Sequence, residues 1–183
     1  MMLPRSRAAR VETGFTLLEL MISSTVFLLV AGAVVTALVV SSALNMTNRE
    51  TALASRAAQS VIEELKAVTF DEIFARYNAT AADDPAAGSS PGDDFAVAGL
   101  DPQAVDADGM VGSIEFPGTG TTLLEDGDDV ELGLPRDLDG LGGVDANDHA
   151  SDYRVLPVRV VIRWNGQNGA RTFELVTVLT GFE

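Results

Sequence analysis

The sequence contains no cysteine, a single histidine and a single tryptophan. Without cysteine there is neither a disulfide framework nor thiol chemistry, and the redox compartment cannot be read. One histidine, His149, leaves almost no raw material for catalytic triads, histidine-built zinc sites or imidazole acid/base work. Cationic residues are also scarce, with 12 Lys and Arg against 27 Asp and Glu, a net charge of -15 and a pI of about 4.2. Phosphate binding needs clustered Lys and Arg, so this balance argues against nucleic acid as a partner. No glycine-rich phosphate loop, nucleophile elbow or HExxH is present, and no acidic pair is singled out by spacing as a glycosidase-like dyad. The sequence therefore supports no enzyme. Its 183 residues suffice for one domain, or one domain plus an anchor.

What is present begins with a long apolar run. From Leu20 to Asn48 no residue is charged, more than the roughly 20 helical residues that cross the hydrocarbon of a bilayer. Arg5, Arg7 and Arg10 precede the run against one acid, Glu12. A basic flank of this kind stays cytoplasmic while the rest crosses, so the N-terminus is expected inside and the C-terminus outside. A cleaved secretory signal would need a shorter core of roughly 7 to 15 residues before a small-x-small site, although Ala31-Gly32-Ala33 has that form. A plain single-pass anchor fits the hydropathy but leaves Glu19, at the head of the run, without a reason. A carboxylate inside the membrane costs roughly 2.5 to 3.5 kcal/mol and tends to be paired or functional. A cut between Gly14 and Phe15 would place a new α-amine one helical turn before Glu19, where the positive end of the helix dipole also favours an acid.

Gly14-Phe15-Thr16-Leu17-Leu18-Glu19-Leu20, behind a short basic leader and ahead of an apolar helix, resembles the processing site of type IV pilins and type II secretion pseudopilins. The resemblance implies a leader ending at Gly14, cleavage by an inner-membrane prepilin peptidase, N-methylation of Phe15, and a Glu19 that partners the N-terminal amine of a neighbouring subunit during assembly. It also implies as partners other pilin or pseudopilin subunits, an inner-membrane assembly platform and membrane lipid, with the mature protein moving from the inner membrane into a periplasmic or extracellular filament. Major pilins of this family often carry prolines in the early helix. Here none lies between Pro4 and Pro85, which predicts a straighter segment with Gly32 its weak point and points to a minor subunit.

Beyond the membrane segment, Leu53, Ala57, Val61, Leu65 and Val68 recur at steps of three or four, the spacing of an amphipathic helix with one face on a core. Thr69 and Glu72 have capping-box spacing, which suggests a break and a short new helix carrying Phe70, Ile73, Phe74 and Tyr77; an uninterrupted helix is the competing reading. Residues 79–99, rich in Ala, Asp, Gly, Ser and Pro, read as an exposed loop. Met110 to Phe116, Thr121 to Leu124 and Val130 to Leu134 read as short strands. Val158, Val160, Ile162 and Trp164 alternate with less uniformly apolar neighbours, a glycine-rich turn follows over 165–169, and Thr172 to Thr180 returns, which predicts a β-hairpin. The expected fold is α+β: a long N-terminal helix, half membrane and half amphipathic, packed on a C-terminal antiparallel sheet. The expected organisation is a leader over 1–14, a transmembrane or filament-core helix over 15–44, its amphipathic continuation over 45–78 and a globular head over 79–183.

The acids between Arg76 and Arg136 have no basic neighbour in sequence and read as a solvated surface. A sharper reading attaches to 137–148, where Asp137, Asp139, Asp145 and Asp148 occupy ligand positions of an EF-hand-like loop, with calcium the natural cation for hard oxygen ligands. Leu141 stands where a ligand is usual and Asp148 where a bidentate Glu is usual, and neither flank is helix-forming. No cofactor is required by anything else in the chain. His149 reads as a solvated loop residue and Trp164 as core. A stand-alone, single-pass membrane-anchored module with a calcium-binding loop is thus the alternative to a filament subunit.

Overall fold

The structure, a computed structural model, describes residues 14–85, 90–104, 106, 108–167 and 169–181; the expected leader lies outside these except for Gly14. The chain divides into two compact units, Met1–Leu44 and Asn45–Glu183. The elements are helix α1 (Leu17–Ala67), a 3-10 turn (Phe70–Glu72), helix α2 (Ile73–Tyr77), and strands β1 (Asp94–Phe95), β2 (Gly112–Glu115), β3 (Gly118–Thr119), β4 (Thr122–Leu123), β5 (Val155–Gly166) and β6 (Gly169–Thr180). This is the α+β arrangement expected from the sequence.

In the first unit, α1 presents an exposed apolar surface that includes Leu20, Phe27, Leu29, Val35 and Leu38. The best membrane-length window has a mean hydropathy of 2.4, long and apolar enough to span a bilayer. Three hydroxyls along it are satisfied within the helix. Ser24, Thr25 and Thr36 donate their hydroxyls to the carbonyls of Leu20, Met21 and Gly32, each four residues back, as a lipid-exposed helix requires of its hydroxyls.

In the second unit the later part of α1 packs on the sheet. Ala54, Ala58, Ile62 and Leu65 are buried, with Leu53, Ala57, Val61 and Val68 at the margins of the same core. The buried stripe is therefore rotated about one residue from the apolar series read in the sequence. Alanine carries little weight in a hydropathy pattern, yet at 54 and 58 its small side chain lets the helix backbone lie close to the strands. The helix does break, after Ala67, but Thr69 makes no side-chain cap. Instead the Glu72 N–H donates to the Thr69 carbonyl at 3.0 Å, and the Glu72 carboxylate takes Arg76 at 2.6 Å. The short helix α2 then delivers Ile73, Phe74 and Tyr77 to the core.

The main sheet is antiparallel in the order β1-β2-β5-β6, beside a two-stranded ribbon of β3 and β4. The predicted hairpin forms one side of it, with β6 at the edge: β5 and β6 pair from Val155 with Thr180 to Gly166 with Gly169, so each strand extends into the segment read as a turn. Val158, Val160, Ile162 and Trp164 face the core as their alternation requires. Two other expectations are corrected. Strand β1 lies inside the segment read wholly as loop, because Phe95 turns inward over Gly112, whose missing side chain makes room for the ring. Residues 130–134 form a turn, not a strand: Asp129 accepts the amides of Glu131 and Leu132 at 3.1 Å each, and Gly133 takes a left-handed φ of 77° that winds the chain back. Nor are all the acids of this interval without counter-ions. Arg159, on β5, reaches Glu115 at 2.6 Å, Asp129 at 3.0 Å and Glu131 at 3.3 Å.

Candidate functional site

The N-terminal segment is built around a helix start. Gly14, Phe15 and Thr16 are not helical, and Phe15 is 80% exposed. The helix begins at Leu17 because Thr16 caps it: its Oγ1 accepts the Glu19 N–H at 3.2 Å, while its carbonyl accepts the Leu20 N–H at 3.1 Å. Thr16-x-x-Glu19 has capping-box spacing, so Glu19 sits in the first turn where the dipole favours a negative charge. Thr16 is a residue that reading the sequence for charge and hydropathy misses; the capping spacing was its signal. The bond between Gly14 and Phe15 thus lies outside the helical hydrogen-bond ladder, with open space around the Gly14 Cα.

The four aspartates proposed as a calcium loop do not converge on one point. Asp137 closes its own loop, accepting the amides of Gly140 at 2.5 Å and Gly142 at 2.8 Å, contacts that hold its carboxyl below the usual carboxylate range, the Gly142 amide first. Asp139 accepts the Leu141 amide at 2.8 Å. Asp148 accepts the amides of Leu123 and Ala150 at 3.0 Å each, stapling this segment to β4. Asp145 accepts the Asn147 amide at 2.7 Å, which with His149 lowers its pKa.

What the segment does converge on is His149. The imidazole is 3% exposed, not solvated as its loop position suggested. Its Nδ1 lies 3.1 Å from Asp152 Oδ1 and 3.8 Å from Asp139 Oδ2; its Nε2 lies 3.2 Å from Asp145 Oδ1 and 3.8 Å from Glu125 Oε2. Burial works to lower the imidazole pKa, but the bonds to Asp145 and Asp152 and the charge of Glu125 together outweigh it and raise it. Glu125 is the residue the sequence reading passed over. It is 1% exposed, and its carboxylate accepts the amides of Leu138, Asp139 and Asp145. No spacing signal marked it, since it lies in a bend beyond the end of β4. Three overlapping groups of potential ligands arise here: Glu125 with Asp145 and His149, Asp139 with His149 and Asp152, and Glu125 with Asp137 and Asp139.

Residues 10–35 match the family model described as the prokaryotic N-terminal methylation motif. The chain carries a prepilin-type methylation signature. The match covers the Gly14-Phe15 step, the capped helix start and Glu19, and stops within the apolar run, so it bears on the N-terminal unit and not on the head. It supports a type IV pilin-like or pseudopilin precursor, a class that is structural in role, processed by prepilin peptidase and assembled with other pilin subunits. No curated protein and no solved structure matches the chain.

Proposed function

We propose that this chain is a minor subunit of a type IV pilus or type II secretion pseudopilus, made as an inner-membrane precursor, cut before Phe15 and moved from the bilayer into a helical filament. The observation that carries the reading is the coincidence of the methylation motif with a helix whose first turn holds Glu19 and whose cap leaves Gly14-Phe15 free of helical structure. In the membrane the apolar helix is solvated by lipid. In the filament equivalent helices bury the same surface against one another, and Glu19 leaves a costly environment for the amine of an adjacent Phe15. The minor-subunit assignment rests on the acidic, loop-rich head and the proline-free early helix. Arg5, Arg7 and Arg10 favour a cytoplasmic leader and an outside head.

The test is mass spectrometry of the mature N-terminus from cells with an active prepilin peptidase. A methylated Phe15 is expected; a chain still beginning at Met1 would support an anchored module instead. Glu19→Ala is expected to insert and be cleaved normally while failing to enter filaments. Wild-type incorporation of that variant would refute the role given to the acid.

A further inference from the structure

His149 is the one histidine of the chain, and its surroundings pose a problem of donors. A neutral imidazole carries one N–H, and its other nitrogen is an acceptor. Here both nitrogens face carboxylate oxygens, Asp152 Oδ1 at Nδ1 and Asp145 Oδ1 at Nε2, and the residue is only 3% exposed. If Nδ1–H donates to Asp152, the Nε2 lone pair is left without a donor and aims at the lone pairs of Asp145 and Glu125. Lone pairs apposed in this way need a proton or a metal ion between them.

The separations suit a metal ion. Around a tetrahedral centre with bonds of about 2.0 to 2.1 Å, ligand atoms lie about 3.3 to 3.5 Å apart. Nε2 is 3.2 Å from Asp145 Oδ1 and 3.8 Å from Glu125 Oε2, and all three ligand atoms lie within 4.8 Å of one another. The supports are in place as well. Glu125 is fixed through its other oxygen by the amides of Leu138 and Asp139. Asp152 on Nδ1 is the carboxylate–histidine partner that sets the tautomer and ring orientation in metal sites. Asp145 is half exposed, 53% for its side chain, which leaves a route for the ion and room for a water as fourth ligand.

We propose that the head binds one divalent transition-metal ion, zinc the leading candidate, through His149 Nε2, Asp145 and Glu125, with Asp152 orienting the imidazole. An imidazole with two carboxylates suits zinc or a neighbouring transition metal, whereas calcium takes oxygen ligands alone. The ion would join the exit of β4, which leads to Glu125, to the segment that leads into β5. This differs in residues and in metal class from the hard-oxygen loop that 137–148 suggested in sequence.

The experiment uses the full chain in detergent, stripped of metal and titrated with Zn²⁺, with Co²⁺ as a visible-absorbing probe and Ca²⁺ as competitor. One Zn²⁺ per chain is expected, with Co²⁺ absorption that Zn²⁺ abolishes and Ca²⁺ leaves alone, and a shift of the lone histidine's ring resonances. Asp145→Asn and Glu125→Gln keep one oxygen for the Asn147 and Leu138 backbone amides and give up the other, which takes Asn147 Nδ2 and the Asp145 amide respectively, so the thermal midpoint of each metal-free variant is measured beside its affinity; each is expected to weaken zinc by about tenfold or more. Asp137→Asn, outside the set, is expected to leave binding unchanged. No uptake at about 0.1 mM metal would mean that a proton fills the gap and would overturn the proposal. Equal binding in Asp145→Asn and wild type, or displacement of Co²⁺ by Ca²⁺, would overturn it too.

Discussion

Trp164 on β5 donates its indole N–H to Glu50 Oε2 on α1 across 3.2 Å, a bond between residues 114 positions apart in sequence. Trp164 is 2% exposed, so this carboxylate satisfies a buried donor at the seam between helix and hairpin. Glu50→Ala leaves that N–H without its partner and is expected to cost about 1 to 3 kcal/mol. Trp164 is the only tryptophan, so its own fluorescence during unfolding of the full chain in detergent reports the loss. An unchanged midpoint would show that water replaces the carboxylate.

Tyr153 makes the equivalent link to the helix break. Its hydroxyl donates to the Phe70 carbonyl at 2.7 Å and accepts the Phe74 N–H at 3.3 Å, while its ring packs against Phe70 at a centroid distance of 5.0 Å. Tyr153→Phe keeps the ring and removes both bonds. A loss of about 1 to 3 kcal/mol is expected, measured by the shift in thermal midpoint against wild type.

The chain has two tyrosines, Tyr77 and Tyr153, and both phenols are pushed up to about 12, first by burial; Glu64 adds to the effect at Tyr77. An acid whose folded pKa exceeds its unfolded value binds its proton more tightly when folded. The stability this brings is whole below the unfolded value of about 10 and is lost as pH rises from there through about 12. Phenolate absorbance should therefore appear near pH 10 in denatured chain and well above it in folded chain. Coincident titrations would show that neither ring is held as described.

Gly118 adopts a φ of 117°, and a Cβ there would stand 2.1 Å from the Thr122 carbonyl oxygen. The β3–β4 ribbon closes only because that atom is missing. Gly118→Ala is expected to cost at least about 1 to 3 kcal/mol through backbone strain, read as lowered stability of the whole head. Gly142→Ala, also at positive φ but with nothing within 4 Å, is expected to cost less, and the reverse order would contradict the steric account.

Ala58 has no exposure in the face that α1 lays on the sheet. Ala58→Leu adds volume where helix and strands meet and is expected to destabilise by about 1 to 3 kcal/mol. Ala57→Leu, at the margin of the same core, is expected to be milder. Denaturation midpoints of the two variants decide between this stripe and the one-residue-shifted stripe that hydropathy suggests.

Much of this was legible in the chain itself because it rests on local regularities. An uninterrupted apolar run must form a helix if it meets lipid, since backbone polar groups have no other partner there. Alternation in 158–164 determined a strand with one face on the core. Gly14, Phe15 and Glu19 form a signal within six residues, which is why the methylation motif could be read without a structure. Asp129 shows the limit. Its two amide bonds turn 130–134 away from a strand that composition alone favours.

The sequence by itself determined the membrane-length helix, its processing signal and the hairpin, because each depends on neighbours along the chain or on a repeat of fixed period. Only the tertiary structure decided that Glu125 and His149 are buried face to face, and that Glu50 meets Trp164. Those pairings come from segments joined by aperiodic loops, where no spacing rule links the residues and the cost of burying a charge is met only by partners that folding brings from elsewhere.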